Sequence, residues 1–145
     1  MSKPVHILMV EDSPTDAGLT IEAFRESKVA NNLVHVEDGT EALAYLRRQG
    51  NNSDAPRPDL ILLDLNLPTI DGREVLAQIK ADPALRNIPV AVLTTSDDEE
   101  DIVRSYDLHA NCYITKPLEF ERFATIVEDL QNFWFSVVTL PRSGK

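Results

Sequence analysis

The sequence predicts an α/β protein in which a parallel sheet is covered by helices on both faces. Short apolar segments alternate with longer segments of helical pattern along 145 residues, a length typical of one domain. The apolar segments are continuously hydrophobic, as in strands buried on both faces. Ser, Asp, Gly and Pro separate the segments, where caps and turns are expected. Alternation of this kind is typical of parallel sheets with helical crossovers.

Five apolar segments are predicted to be the strands. They are rich in Val, Ile and Leu, and turn residues bound them. In chain order, the predicted strands are residues 5–10, 33–36, 59–63, 89–93 and 111–115. None approaches the roughly 18 apolar residues that a membrane helix needs, so a soluble protein is expected.

A helix is predicted after each strand. A Ser or Asp at the cap with an acidic residue three positions later marks three of the starts. The helices are expected at about residues 13–27, 38–49, 71–81, 96–108 and 118–135. The first should bury Leu19, Ala23 and Phe24 or their neighbours, and residues 50–58 should form a polar loop with prolines.

The charge of the chain limits the classes of partner. It carries 24 Asp and Glu residues against 14 Lys and Arg, a net charge of −10. Nucleic acid and anionic membranes bind clustered Lys and Arg, so neither is expected as a partner. The single cysteine, Cys112, excludes an internal disulfide and suits the cytoplasm, where we expect the protein. The three histidines are scattered and are expected to be packing or surface residues rather than metal ligands.

Polar residues stand at the carboxyl ends of four predicted strands. They are Glu11 and Asp12, Asp64, Thr94 and Thr95, and Lys116. Because ligands of such sheets bind at the carboxyl ends of the strands, these groups are expected to converge on one crevice. Crowded carboxylates repel each other unless a cation lies among them, and oxygen ligands suit Mg²⁺. A carboxylate nucleophile beside Mg²⁺, an ammonium group and a hydroxyl indicates phosphoryl transfer.

Each of these residues also has a purely structural interpretation. Glu11 and Asp12 can accept backbone N–H groups at a helix start, and the two threonines can be ordinary strand residues. Lys116 can be a salt-bridge partner of Asp64, whose burial without a partner would be costly. The joint occurrence at four strand ends favours the functional interpretation.

These residues resemble the receiver domain of two-component response regulators, the CheY-like family. The resemblance is carried by Glu11-Asp12, residues 62–68, Asp71-Gly72, Thr94 and Lys116-Pro117. It extends over about residues 4–130 and implies a flavodoxin-like (βα)5 sandwich with the strand order 2-1-3-4-5. Residues 1–145 are expected to form a single receiver domain, with a C-terminal helix and tail extension at residues 131–145.

The resemblance also implies a role for each residue of the crevice. The phosphoacceptor would be Asp64. The Mg²⁺ ligands would be Glu11, Asp12, Asp64 and the backbone carbonyl of Asn66. The groups binding the phosphoryl oxygens would be Thr94, Thr95 and Lys116, and the conformational switch would be Thr94 with Tyr113. Two residues depart from the family pattern: Glu11 replaces a commoner Asp, and Thr95 replaces a small residue, which narrows access to the phosphoryl group.

The C-terminal segment holds more apolar surface than one helix face can bury. Such a surface is an association patch when exposed, although the tail can also fold back onto its own domain. This ending, with residues 51–58 and 108–113, resembles the stand-alone response regulators of cyanobacterial phytochromes. That resemblance implies a phytochrome-like sensor histidine kinase as phosphodonor and a homodimer through the C-terminal region. The residues assigned to the dimer are Phe133, Trp134, Phe135 and Val138.

The predicted function is that of a stand-alone response regulator, which accepts a phosphoryl group on Asp64 and signals to a downstream protein by changing conformation. It would catalyse only its own phosphoryl transfer and dephosphorylation. One alternative is a receiver-like binding module that is never phosphorylated. Another is a phosphatase of the haloacid-dehalogenase type, which uses a second Asp for proton transfer where this chain has Asn66.

Overall fold

The five predicted strands form one parallel sheet. The computed structural model describes residues 4–26, 30–94 and 112–115. The strands are β1 (Val5–Val10), β2 (Asn31–Val36), β3 (Leu60–Asp64), β4 (Val90–Thr94) and β5 (Cys112–Thr115). Their order in the sheet is β2-β1-β3-β4-β5, and each pair of neighbours is parallel. The predicted flavodoxin-like order is therefore confirmed.

Three helices connect these strands within the described ranges, and each begins at a polar cap. They are the α-helices α1 (Pro14–Arg25), α2 (Gly39–Leu46) and α3 (Gly72–Ala81), and a separate 3₁₀ turn spans Gly50–Asn52 within the loop predicted at residues 50–58. The caps are Ser13, Asp38 and Asp71, whose side-chain oxygens accept backbone N–H groups of the first turn. The helices predicted at residues 96–108 and 118–135 lie outside the described residues.

The sheet separates two hydrophobic clusters. Leu8 and Val10 face the cluster that contains α2 and α3, whereas Ile7 and Met9 face the cluster that contains α1. All four side chains are buried, which explains why the segment from Ile7 to Val10 is apolar at every position rather than at alternate ones. Polar side chains lie at the carboxyl ends of β1 and β3, beyond these apolar residues.

Helix α1 buries Ala23 and Phe24 as predicted, and in place of Leu19 it buries a neighbouring residue. Leu19 is 40% exposed, and Thr20 takes the inward position beside it. The phase of the helix thus buries a hydroxyl group, which donates to Asp16 O at 3.0 Å and so has a partner without water. The apolar pattern alone does not define that phase.

Helix α2 ends three residues before the predicted Gln49. Arg48 has a φ of 55°, the left-handed conformation that stops a helix, and Gly50 follows with a φ of 58°. Arg48 N–H donates to Tyr45 O and Gln49 N–H donates to Ala44 O, which is the hydrogen-bond pattern of a Schellman motif. A glycine usually occupies the left-handed position, so an arginine there gave no sign of a helix end.

Strand β1 has the predicted bounds, and the other four strands have boundaries that differ from those predicted by one or two residues. Strand β2 begins at Asn31, because Asn31 and Asn32 pair with Val5 and His6 although both are polar. Strands β3 and β4 each begin and end one residue later than predicted, so Asp64 belongs to β3.

No helix in the described ranges is both long and apolar enough to span a bilayer.

Gly72 brings the start of α3 against the end of β3. Its N–H donates to Leu65 O at 3.0 Å, and a Cβ at this position would lie 2.2 Å from the carbonyl oxygen of Asp64. Because backbone atoms cannot yield as a flexible side chain does, only glycine permits this approach. The loop between the strand and the helix is thereby closed at its base.

We expect Gly72→Ala to lower the free energy of unfolding by at least about 2 kcal/mol, because the methyl group would force β3 and α3 apart. Gly18→Ala is the matched control, since a Cβ at Gly18 meets nothing within 4 Å. On the exposed face of α1 it should raise the free energy of unfolding by about 0.5–1 kcal/mol. Urea unfolding of both variants measures the two effects, and equal stabilities would contradict the close approach.

Candidate functional site

The register of β1 and β3 brings two carboxylates to the same end of the sheet. Val10 pairs with Leu63, so the next residue of each strand, Glu11 and Asp64, is its neighbour across the ladder. Glu11 still belongs to the sheet, because its N–H donates to Val36 O at 3.0 Å. Asp64 pairs with Leu93 on its other side. The backbone of Glu11 is therefore linked to β2, and that of Asp64 to β4.

Asp12 joins these two residues and completes an acidic cluster. One carboxylate oxygen from each of Glu11, Asp12 and Asp64 lies within 4.8 Å of the others. Glu11 is 1% exposed and Asp64 is 4% exposed, whereas Asp12 is open to solvent. The structure thus places three of the sequence-predicted site residues together, two of them buried and one at the surface.

The two buried carboxylates are oriented by the same local geometry. Ser13 N–H donates to Glu11 Oε2 at 3.1 Å, and Asn66 N–H donates to Asp64 Oδ1 at 2.9 Å. In both cases the donor is two residues further along, in the segment that leaves the strand. Hydrogen bonds from N–H groups to an ionised carboxylate are stronger than neutral ones, so they offset part of the cost of burial.

The loop from Asn66 to Asp71 is constrained as well as closed. Thr69 has a φ of 68°, and Ile70 N–H donates to Pro68 O at 2.8 Å across it. This is a γ-turn of positive φ, a strained conformation for a β-branched residue. Strain of this kind is frequent beside functional sites, where the surrounding structure maintains it.

The electrostatics of the cluster favour a divalent cation. Two like charges about 4–5 Å apart repel by a few kcal/mol at the effective dielectric of a protein surface. A cation among the three carboxylates would convert this repulsion into attraction. Carboxylate oxygens are the ligands that Mg²⁺ and Mn²⁺ accept, so the donor set fits such an ion.

The other predicted site residues are only partly within the described ranges. Thr94 is the last residue of β4, one position after the residue that pairs with Asp64, so its backbone lies at the acidic end of the sheet. Tyr113 lies in β5, where its backbone pairs with Val92. The remaining predicted residues, Thr95, Lys116, Phe133, Trp134, Phe135 and Val138, lie outside the described residues.

Sequence reasoning missed one polar contact of the site. The Nε2 atom of His35, a half-buried residue of β2, lies 2.7 Å from the carbonyl oxygen of Glu11. The ring therefore makes a specific polar contact with the backbone of the site and is more than a packing residue. The signal that would have found it is the register of β1 and β2, in which Met9 pairs with His35.

Comparison with known proteins gives a consistent result. A model of the family described as response regulator receiver domain matches residues 7–128. The response regulator Rcp1 of Synechocystis sp. is 49% identical over 138 residues, which cover 95% of this chain and 94% of that protein.

Two solved structures resemble the chain over most of its length. The phosphorylated cyanobacterial phytochrome response regulator RcpA is 54% identical with a TM-score of 0.84, covering 92% of this chain and 96% of that one. The Mn²⁺-bound form of Rcp1 is 48% identical with a TM-score of 0.82 over the same shares. A relative with a divalent metal ion agrees with the donor set found here.

We expect Asp12→Asn to raise the melting temperature of the metal-free protein by about 2–5 °C, because it removes one of three crowded charges. The same change should reduce the stabilisation that 10 mM Mg²⁺ gives the wild type, since a ligand carboxylate is lost. Thermal unfolding in EDTA and in Mg²⁺ measures both effects.

Asp54→Asn is the matched control for charge. Asp54 is an exposed acid that precedes β3, at the opposite end of the sheet from the cluster. It should leave the response to Mg²⁺ as in the wild type. A cluster without mutual repulsion would give Asp12→Asn and Asp54→Asn the same melting temperature in EDTA.

Proposed function

The chain belongs to the response regulator receiver family, and from this we propose that Asp64 is the carboxylate that accepts the phosphoryl group. Proteins of this family act in signalling and are phosphorylated by histidine kinases. The observation that carries the assignment is the position of Asp64, a buried carboxylate at the end of β3 and beside Glu11. No other buried Asp is found among the residues whose burial the structure describes.

The surroundings of Asp64 suit a nucleophile. Its burial removes water that would otherwise compete for the carboxylate, and Asn66 N–H holds Oδ1 in place at 2.9 Å. In the transfer, an Asp64 oxygen forms a bond to phosphorus while the bond from phosphorus to the histidine nitrogen of the kinase breaks. The imidazole of the kinase is the leaving group, and Asp64 becomes an acyl phosphate.

Glu11, Asp12 and Asp64 are the proposed Mg²⁺ ligands, together with the backbone carbonyl of Asn66. The three carboxylates within 4.8 Å of one another fit such an ion. When bound, Mg²⁺ supplies positive charge that neutralises the carboxylates and the transferring phosphoryl oxygens. Glu11 is held at its N–H and at its carboxylate, so it orients the site before any ligand binds.

Thr94, Thr95 and Lys116 are proposed to bind the phosphoryl oxygens, and Thr94 with Tyr113 is proposed to form the switch. The position of Thr94 at the end of β4 supports its part, because it follows the residue paired with Asp64. A new dianionic group on Asp64 would draw hydroxyl and ammonium donors toward it. Tyr113 in β5 is two strands away from Asp64, within one continuous ladder.

The protein is proposed to act by signalling to a downstream protein rather than as an enzyme on other substrates. Asn66 occupies the position where a phosphatase of the haloacid-dehalogenase type has its acid/base, and its exposed amide cannot serve in proton transfer. The chemistry assigned to the chain is limited to its own phosphorylation and dephosphorylation. Cytoplasmic location belongs to the same proposal, since the kinase must reach Asp64.

The phosphodonor is proposed to be a phytochrome-type histidine kinase. The relatives RcpA and Rcp1 support this, because the first is described as a phytochrome response regulator and both match nearly the full length of this chain. The proposed domain is a single receiver unit over residues 1–145. Its C-terminal region is proposed to form a homodimer through Phe133, Trp134, Phe135 and Val138, on the grounds of their surplus apolar surface.

Incubation with Mg²⁺ and radiolabelled acetyl phosphate should place an acyl phosphate on Asp64. We expect Asp64→Asn to remove the label, because an amide is not a nucleophile for phosphorus, and Asp54→Asn to retain it. Peptide mapping after reduction of the acyl phosphate locates the modified residue. With a phytochrome-type histidine kinase as donor, the same residue should be labelled. A label of unchanged yield in Asp64→Asn would overturn the proposed function.

The dimer is tested separately by sedimentation equilibrium at several concentrations. We expect replacement of Phe133 and Phe135 by Ser to weaken association by at least roughly tenfold, as for buried aromatic anchors. Leu19→Ser is the matched control, since Leu19 is an exposed apolar residue of α1. A wild type that is monomeric at every concentration, or an equal effect of the control, would remove the dimer from the proposal.

A further inference from the structure

The carbonyl group of Glu11 receives a side-chain donor from the neighbouring strand. Nε2 of His35 lies 2.7 Å from Glu11 O. A carbonyl oxygen only accepts, so the ring nitrogen in this contact must carry the hydrogen and donate it. The imidazole is therefore held as the tautomer with hydrogen on Nε2.

The sheet itself explains why a side chain is used at this point. Glu11 N–H donates to Val36 O, the last residue of β2, and the chain then turns into α2 at Gly39. The ladder between β1 and β2 thus ends as Glu11 is reached. The ring of His35 extends past the end of its own strand and provides a donor there.

The direction of the His35 side chain follows from the register. Met9 pairs with His35. Two residues earlier in the same strands, Ile7 and Leu33 pack in the hydrophobic cluster that contains α1. Side chains two residues apart in a strand share a face. The ring therefore lies on the α1 side of the sheet, along which the chain continues from Met9 to Glu11.

We propose that His35 is a positioning residue for the metal site, an inference that rests on the proposed function. It fixes the peptide group between Glu11 and Asp12, the point from which both carboxylates are directed into the cluster. Glu11 is then held at three groups: its N–H by Val36, its carbonyl by His35 and its carboxylate by Ser13. Without His35 the peptide can rotate, and the two carboxylates lose their common orientation.

The expected consequence is a change in metal affinity. Residues that orient metal ligands typically change affinity by 10- to 100-fold when replaced. His35 acts through a backbone carbonyl rather than a ligand atom, so His35→Val should weaken Mn²⁺ binding by about tenfold. Valine suits a strand and keeps an apolar surface toward α1, but it has no donor.

Electron paramagnetic resonance of free Mn²⁺ in titrations of the full chain measures this affinity directly. His35→Gln retains an N–H donor of similar reach and should restore most of the binding. His6→Val is the matched control: His6 is also a half-buried strand histidine, but its backbone N–H and carbonyl bond to Asp59, away from Glu11. It should bind Mn²⁺ as the wild type does.

The outcomes separate this inference from the proposed function. A wild type that binds no Mn²⁺ would remove both. Wild-type affinity in His35→Val, or an equal loss in His35→Gln or His6→Val, would overturn the positioning role alone. Nitrogen-15 spectra of the metal-free wild type at pH 8 give a second test, which does not depend on the folding of any variant. They should show hydrogen on Nε2 of His35, and hydrogen on Nδ1 would contradict the contact.

Discussion

Carboxylates lie close together at the ends of two adjacent strands, and the surrounding structure must compensate for their mutual repulsion. Parallel register between β1 and β3 places Glu11 next to Asp64, and burial deprives both of water. Each anion must then be compensated by the protein or by a cation. The protein compensates the two buried anions through the N–H groups of Ser13 and Asn66. A cation can reach the cluster from the exposed side, where Asp12 lies.

The core and the site both follow from the alternation of strand side chains between the two faces of the sheet. Odd-numbered residues of β1 face α1 until the helix no longer covers the sheet, and the next odd-numbered residue is Glu11. In β3 the even-numbered residues play this part, ending at Asp64. The apolar residues of each strand pack against the helix and stabilise the fold, and the first residue on that face beyond the helix is the charged one. Stability and function are thus divided by position along a single strand.

Much of this could be predicted from the sequence, because continuous apolar segments, polar caps and acidic residues after the strands are local signals. The strand order, and Glu11 and Asp64 as neighbours, followed from such signals and from a family resemblance. The end of α2 at Arg48 and the exposure of Leu19 could not be predicted, since both depend on backbone conformation and helix phase. The contact of His35 with Glu11 depends on the pairing of two strands, about which no single segment carries information.

The closed loop from Asn66 to Asp71 has a thermodynamic consequence for ligand binding. Its base is joined by a hydrogen bond from Gly72 N–H to Leu65 O, and a second one, from Ile70 N–H to Pro68 O, closes the γ-turn at Thr69. The chain has thus lost the conformational entropy of these residues during folding. A ligand that binds beside Asp64 does not have to order the loop, so little additional apolar surface is buried. The order of the loop is thereby a result of folding and not of ligand binding.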